Sequence, residues 1–319
     1  MPHIPGHAIR RVEEQHGSLV QPVALIVKRL EVHPDLMSSG HTGSMIDTSP
    51  GSAARFEFGA NWRRFIDVVD DERVTIAEDA VKDAVGADRL DGKTFLDIGC
   101  GSGLFSLGAH RLGADVYSFD YDSESVAAAR EIQRRFVGSD AWPIEQGSVL
   151  DAAHMDGLGT FDVVYSFGVL HHTGAMWDAI AAAEARVAPG GTLYISLYND
   201  QDRVSTMWRL IKQVYNRLPR AVRPLYVAIV STPREIGSLV LATLAGRPSR
   251  YIEGWTRYRS ARGMSRWHDM VDWVGGLPFE VAQPGDVVNK LVQDGFVLTR
   301  LVTVGRRLGC NEFVFQRSS

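Results

Sequence analysis

Two cysteines in 319 residues leave no disulfide framework, which excludes a small secreted scaffold held by bridges. Cys100 lies inside a glycine-rich turn, so a reducing, cytoplasmic setting is expected. No apolar run approaches the roughly 20 residues a bilayer-crossing helix needs, so no transmembrane segment is expected. The apolar patch at residues 19–27 is broken by Gln21 and Pro22 and lacks a small-residue cleavage pattern, so it does not read as a signal peptide. No cluster of His, Cys, Asp and Glu has the spacing of a metal site, and no metal is expected. A net charge of −4 does not mark a nucleic-acid binder, and no recognisable nucleic-acid module is present. What remains, 45% apolar and 23% charged residues, is ordinary for a soluble globular chain. The length fits one large α/β domain with an insertion, or two domains.

The charge is unevenly spread. Residues 203–266 hold 13 Lys and Arg against only Glu235 and Glu253, a net +11, so the rest of the chain carries −15. Such asymmetry fits a negatively charged substrate or partner, or a solvated cationic face packed on an acidic domain.

The chain is organised around residues 94–122. Thr94 to Asp97 is a short apolar run ending in an acid, residues 98–103 are half glycine, and Leu104, Leu107 and Leu112 follow at helical spacing. The reading is strand, turn, helix. Gly99, Gly101 and Gly103 let the backbone pass close beneath a ligand, and the helix behind them offers N–H groups to an anion. A second strand, Asp115 to Phe119, ends on Asp120, where an acid can take the two hydroxyls of a ribose. A dinucleotide fingerprint, G-x-G-x-x-G, needs a glycine at 104 or 106, and these positions hold Leu104 and Ser106.

The pattern D-x-G-x-G-x-G from Asp97 to Gly103 resembles the first motif of the class I S-adenosylmethionine (SAM) methyltransferases, and the core looks closest to the branch with ubiquinone-pathway O-methyltransferases. The resemblance extends from about residue 91 to 200. Phe161 to Ser166 is a buried-type strand, and Gly168 followed by Leu170-His171-His172 is similar to the family's fourth motif, which lies under the methionine half of the cofactor. A helix through Val187 ends at Pro189-Gly190-Gly191, before a fifth strand, Thr192 to Tyr198. The resemblance implies an α/β, Rossmann-like seven-stranded sheet, mostly parallel with the last strand antiparallel, flanked by helices. It implies SAM as cofactor, held by Asp97, Gly99, Cys100, Gly101, Gly103, Asp120, Tyr121, Ser148, Val149, Phe167 and Gly168. Ser148 stands where many relatives carry an acid for the adenine amine, a weaker acceptor on the third strand, Trp142 to Val149.

Around this core, residues 1–55 form an N-terminal extension without clear period, and residues 56–200 with 284–319 form the expected SAM-binding domain. Phe58, Asn61, Trp62 and Phe65 fall at helical spacing and would either line the pocket or serve as core. The last helix (Pro284 to Asp294) and two strands (Phe296 to Val304, Asn311 to Gln316) come late, so residues 201–283 are inserted after strand five. The insertion opens with an amphipathic helix, Ser205 to Leu218. Leu225 to Val230 and Ile236 to Leu244 read as two short helices parted by Pro233. Six arginines interleave with Tyr251, Trp255, Tyr258 and Trp267, and the stretch 268–280 reads as loop-rich. This composition would suit a lid, a homodimer face or an interfacial contact.

Ligands of open α/β sheets sit at the carboxyl ends of the strands, so the acceptor approaches over residues 167–172 and 198–200. Methyl transfer to a neutral hydroxyl needs alignment and a base. His171 and His172 are the first candidates and His268, on the insertion, the second. Trp62, Tyr198, Trp208, Arg257 and Arg259 are candidate substrate contacts. The leading expectation is O-methylation of a small molecule. The alternatives are methylation of an anionic apolar acceptor, such as a prenyl diphosphate or acidic lipid, and a SAM-binding regulatory subunit without turnover.

Overall fold

The computed structural model describes residue 66 and residues 69–138, 140–256 and 266–319, with the side chains of residues 268, 269 and 272 left out. Helix α1 (Asp71–Val85) starts on an Asp70 side chain that accepts from the Arg73 N–H and stops at Gly86, whose φ of 71° a side chain would disfavour. Strand β1 (Thr94–Ile98), helix α2 (Leu104–Arg111) and strand β2 (Asp115–Asp120) follow. Then come α3 (Ser123–Phe136), β3 (Ile144–Gln146), α4 (Ala152–Gly157) and β4 (Phe161–Phe167). A 3-10 turn at Leu170–His172 leads to α5 (Met176–Glu184) and β5 (Val187–Tyr198). After the stretch 199–283, α10 (Pro284–Gln293), β6 (Phe296–Val302) and β7 (Cys310–Arg317) complete the chain.

The seven strands lie in the order β3-β2-β1-β4-β5-β7-β6. β1 to β5 pair in parallel, while β7 runs antiparallel to both β5 and β6. Alternate side chains of each strand feed opposite faces, as the two-residue strand period requires. Phe95, Val163, Tyr165 and Tyr194 pack on α1, α2 and α3, while Leu96, Val164, Leu193 and Ile195 pack on α4, α5 and α10. Both faces are therefore covered over the parallel part of the sheet, which leaves the strand ends and the connections beyond them as its open edge, while β6 at the far end is largely exposed.

Several boundaries differ from the expected ones. The helix before strand five ends at Glu184, and β5 begins at Val187, running through Pro189-Gly190-Gly191. A register shift against β4, with Phe161 opposite Val187 and Val163 opposite Thr192, absorbs those residues as a bulge. β3 is only three residues long.

The stretch 201–283 contains α6 (Arg203–Arg217), α7 (Arg223–Leu244), α8 (Ser249–Thr256) and α9 (Arg266–Gly275). Where two short helices are expected, α7 is one helix of 22 residues with Pro233 inside it. Proline removes one hydrogen bond but does not end a helix whose flanks are held. Val227 and Ser231 are buried on one side of it, and Glu235, a further turn along the same side, accepts from Tyr251, Trp255 and Arg266. Once continuous, α7 is long and apolar enough to cross a membrane by length and composition, which the broken run in the sequence concealed. The stretch taken as loop-rich starts instead on α9. Met270 and Val274, one turn apart, bury against Tyr215 and Val227 in a small separate core.

Candidate active site at the strand ends

The turn after β1 is built from three glycines with left-handed φ: Gly99 at 74°, Gly101 at 55° and Gly103 at 75°. Two of them also serve close packing. A Cβ on Gly99 would lie 2.4 Å from Val169 Cγ1, and one on Gly103 2.8 Å from Ala129 Cβ. The turn is thus pressed between the β4 loop and α3. Gly103 is the N-cap of α2 and has no side-chain cap, so the first-turn N–H groups of α2 are left to an incoming acceptor.

Asp120, at the end of β2, accepts from the Gly101 N–H through Oδ2 and from the Asp122 N–H through Oδ1, each at 2.9 Å. These bonds aim the carboxylate at the turn, at the strand end where an acid can take the hydroxyls of a ribose. The β3 end is fastened to the same place by the Gly147 N–H on the Asp120 carbonyl. Ser148 is half-buried there, its Oγ accepting from the Leu150 N–H at 3.2 Å, beside buried Val149 and exposed Tyr121. Across the turn, Phe105 contacts Phe167 at 5.5 Å, and Gly168 (φ 74°) starts the β4 loop. The turn, the Asp120 carboxylate and the uncapped helix start fit a nucleoside cofactor with a carboxylate tail.

Asp97 lies beneath that site. It is buried, and the Ser106 hydroxyl donates to it at 2.5 Å while contacting Ser118 Oγ at 2.8 Å. Burial pushes its carboxyl up to about 7, Ser106 opposes that, and the Asp120 charge adds to it. Asp97 therefore ties α2 to the sheet. Burial likewise holds the Cys100 thiol protonated, far above the ordinary thiol range.

The other half of the site forms where β4 and β5 end. His171 is 1% exposed, and its ring lies 4.0 Å from Tyr198 and 4.5 Å from His172. Burial drives His171 well below the ordinary histidine range, with His172 and the Lys212 charge acting the same way. It is held neutral, and its Nδ1 has no partner among the described residues. His172 is only half-buried, and its Nδ1 lies 2.7 Å from the Pro278 carbonyl. A carbonyl only accepts, so the proton sits on Nδ1 and the lone pair of neutral His172 on Nε2.

The wall facing these histidines comes from the end of the stretch 201–283. Glu280 accepts from the Gly174 N–H at 2.9 Å and the Met176 N–H at 3.1 Å, the start of α5. The Ala282 N–H donates to the Tyr198 carbonyl and the Asp200 N–H to the Ala282 carbonyl, each at 3.0 Å. Phe279 and Trp273 contact Tyr198 at 5.3 and 5.9 Å, and Trp208 meets Trp273 edge-on at 5.3 Å. Lys212, 1% exposed, donates to the Trp273 carbonyl and lies 5.1 Å over the Trp273 ring and 4.9 Å over Phe279.

Lys212, Trp273, Phe279 and Glu280 are absent from the sequence-based candidates. One signal was available: among the 13 basic residues of 203–266, Lys212 is the single lysine. Of the sequence candidates, the structure brings His171, His172 and Tyr198 together and sets Trp208 one ring further out. The side chain of His268, and Trp62, Arg257 and Arg259 entirely, lie outside the described residues. So do Phe58, Asn61, Phe65 and Tyr258. Asp200 Oδ1 accepts from the Asp202 N–H, and no group of three metal-binding side chains occurs among the described residues.

Residues 71–226 match a family model described as a methyltransferase domain. A ubiquinone biosynthesis O-methyltransferase of Burkholderia cenocepacia is 31% identical over 163 residues, covering 48% of this chain and 65% of the relative. One from Brucella melitensis is 31% identical over 110 residues, 34% of this chain and 43% of the relative. The chain thus spans about two thirds or less of the length of the curated relatives it matches. Among solved structures, magnesium protoporphyrin IX methyltransferase from Synechocystis PCC 6803 with bound SAH aligns at 16% identity, with a TM-score of 0.48 over 81% of this chain and 94% of that one.

Proposed function

We propose, from the premise that this chain carries a class I SAM-dependent methyltransferase domain, that it methylates the hydroxyl oxygen of a small molecule held between the β4 and β5 ends and the wall of residues 273–282. The family's cofactor is SAM. The first-turn N–H groups of α2 and the Asp120 carboxylate would hold its carboxylate and ribose, with Ser148 and Val149 beside the adenine. When bound, SAM supplies a methyl carbon activated by its sulfonium.

The chain's own residues would then align the acceptor and take its proton. The observation carrying this reading is the 2.7 Å contact of His172 Nδ1 with the Pro278 carbonyl, which makes Nε2 the basic atom of a half-buried ring at the strand ends. His171, buried and neutral, braces Tyr198 and His172. Phe279, Trp273 and Tyr198 supply an apolar rim that excludes water around the acceptor. A cytoplasmic setting belongs to the same proposal, supported by Cys100 and Cys310 being free thiols.

A second acceptor class is favoured by one observation, the Lys212 ammonium placed within the aromatic wall. It suits an acceptor that joins a negative group to an apolar body, such as a prenyl diphosphate or acidic lipid.

The test is incubation of the full chain with methyl-labelled SAM and a cell extract, followed by mass spectrometry of the labelled product. Label on an oxygen, lost in His172→Gln with SAM binding retained by calorimetry, is the expected result. SAM binding without S-adenosylhomocysteine release in any extract fraction would instead leave a non-catalytic binding subunit.

A further inference from the structure

Among the described residues, α7 carries the longest exposed apolar stripe. Val222, Leu225, Ile229, Ile236 and Val240 fall within one helical stripe, and Leu225 and Ile229 are each 61% exposed. In the 18-residue apolar window of this helix, 6% is buried. α6 repeats the pattern on a smaller scale. Arg203, Met207, Leu210, Val214 and Arg217 recur at i, i+4, i+7, i+11 and i+14, so its exposed aliphatic stripe is closed at both ends by arginine. Arg220 precedes α7, and Arg247 and Arg250 follow it, all exposed. Not one of Arg203, Arg217, Arg220, Arg247 and Arg250 forms an ion pair among the described residues. Scattered exposed aliphatics are ordinary, but a continuous stripe bracketed by cations marks a docking surface.

We infer that α6 and α7 lie flat on a bilayer surface rich in anionic headgroups, the aliphatic stripes entering the acyl boundary and the arginines pairing with lipid phosphates. Three features select this occupant. The +11 charge of residues 203–266 is complementary to an anionic leaflet, and it opposes a second copy, which would bring two such faces together. A crossing helix is disfavoured because Arg234 and Glu235 sit at mid-length, and Glu235 is held by Arg266 at 2.8 Å and by Tyr251 at 3.1 Å. Val227 is packed into the insertion's own core and Ser231, one turn on, is buried beside it, so α7 offers a lipid one side only. A helix with an apolar stripe, a basic surround and one covered side is the form that lies in the interface plane. The nearby Trp255, 38% exposed with its Nε1–H donating to Glu235, has the amphipathic character of interfacial aromatics.

The inference is independent of the acceptor's identity. Its test is flotation of the purified full chain with vesicles of phosphatidylcholine alone, or of phosphatidylcholine mixed with phosphatidylglycerol. The mixed vesicles are expected to carry the protein and the neutral ones to carry at least about tenfold less, with salt erasing the difference. Leu225→Glu with Ile229→Glu is expected to lower binding to mixed vesicles about tenfold or more, because solvent-facing groups that entered lipid now carry charge. Arg220→Glu with Arg247→Glu should do the same through charge alone. SAM affinity by calorimetry is expected to be unchanged in both double variants, and this reports folding separately from docking. No preference for mixed vesicles overturns the inference. So does self-association in sedimentation velocity that Leu225→Glu abolishes, which would assign the face to a second copy. Resistance of bound protein to alkaline carbonate extraction would overturn it in favour of a span.

Discussion

The two halves of the site are made in opposite ways. The half proposed to face the cofactor is nearly continuous in the chain. Its bonds join residues 97 to 106, 101 to 120 and 120 to 122, all within one strand-turn-helix-strand unit. The half proposed to face the acceptor joins residues far apart: His172 to Pro278, Gly174 to Glu280, and Lys212 to Trp273. One half is a local motif whose geometry the backbone imposes through positive φ and short loops. The other exists only after four helices have folded and returned to the sheet edge. The first can stay constant while the second varies, which is how one cofactor serves many acceptors.

The sharpest way to break this division is at His172. If the acceptor half carries proton transfer, His172→Gln should lower kcat about 10²- to 10⁴-fold and leave SAM affinity by calorimetry unchanged; a parallel loss of SAM affinity would show that the halves are not separable.

The next test concerns the rigidity of the cofactor half, through Asp97. Folded Asp97 holds its proton up to about pH 7 against an ordinary value of 3.8. The folded state therefore binds more protons than the unfolded chain between those values, and stability falls as pH rises through that window. The slope is at most about 1.4 kcal/mol per pH unit. Chemical denaturation from pH 4 to 8 should show a decline that Asp97→Asn flattens; an unchanged slope would place the carboxylate's proton elsewhere.

Asp120→Ala removes a carboxylate whose hydrogen bonds contribute about 1.5–3 kcal/mol each. SAM affinity should drop about 100-fold, and acceptor affinity, measured at saturating SAM, should not move.

The smallest effect is expected at Lys212. Lys212→Met keeps volume and loses charge, so KM for an acidic acceptor should rise about tenfold, with kcat and SAM affinity held. Equal changes for neutral and acidic acceptors would reduce Lys212 to a packing role.

How much was legible follows from the same division. The D-x-G-x-G-x-G turn and its flanking strands could be read because glycines and short apolar runs act within a few residues, and the count of seven strands came with the family resemblance. Tyr198 and the two histidines could be placed because strand ends define the site in such sheets. The aromatic wall could not, since nothing local to Trp273 or Phe279 says that Tyr198, at the end of a strand far earlier in the chain, will meet them. Pro233 misled for the opposite reason: a strong local breaker was overruled by tertiary contacts at Val227 and Glu235. The cofactor residues, which the motif named by position, gained their reasons only with coordinates. Gly99 makes room for Val169, Gly103 for Ala129, and Asp97 serves the framework below the turn.

Ser106 carries a consequence for how far such a turn can drift. Gly101 and Gly103 already supply two of the three glycines of a dinucleotide signature, and a change of Ser106 to glycine would complete it on paper. That same change would strip a sealed acid of its hydroxyl donor and leave a hole between α2 and β2. The glycine spacing of this turn and the buried acid at position 97 are therefore tied together by a single hydroxyl, and one could not change without the other.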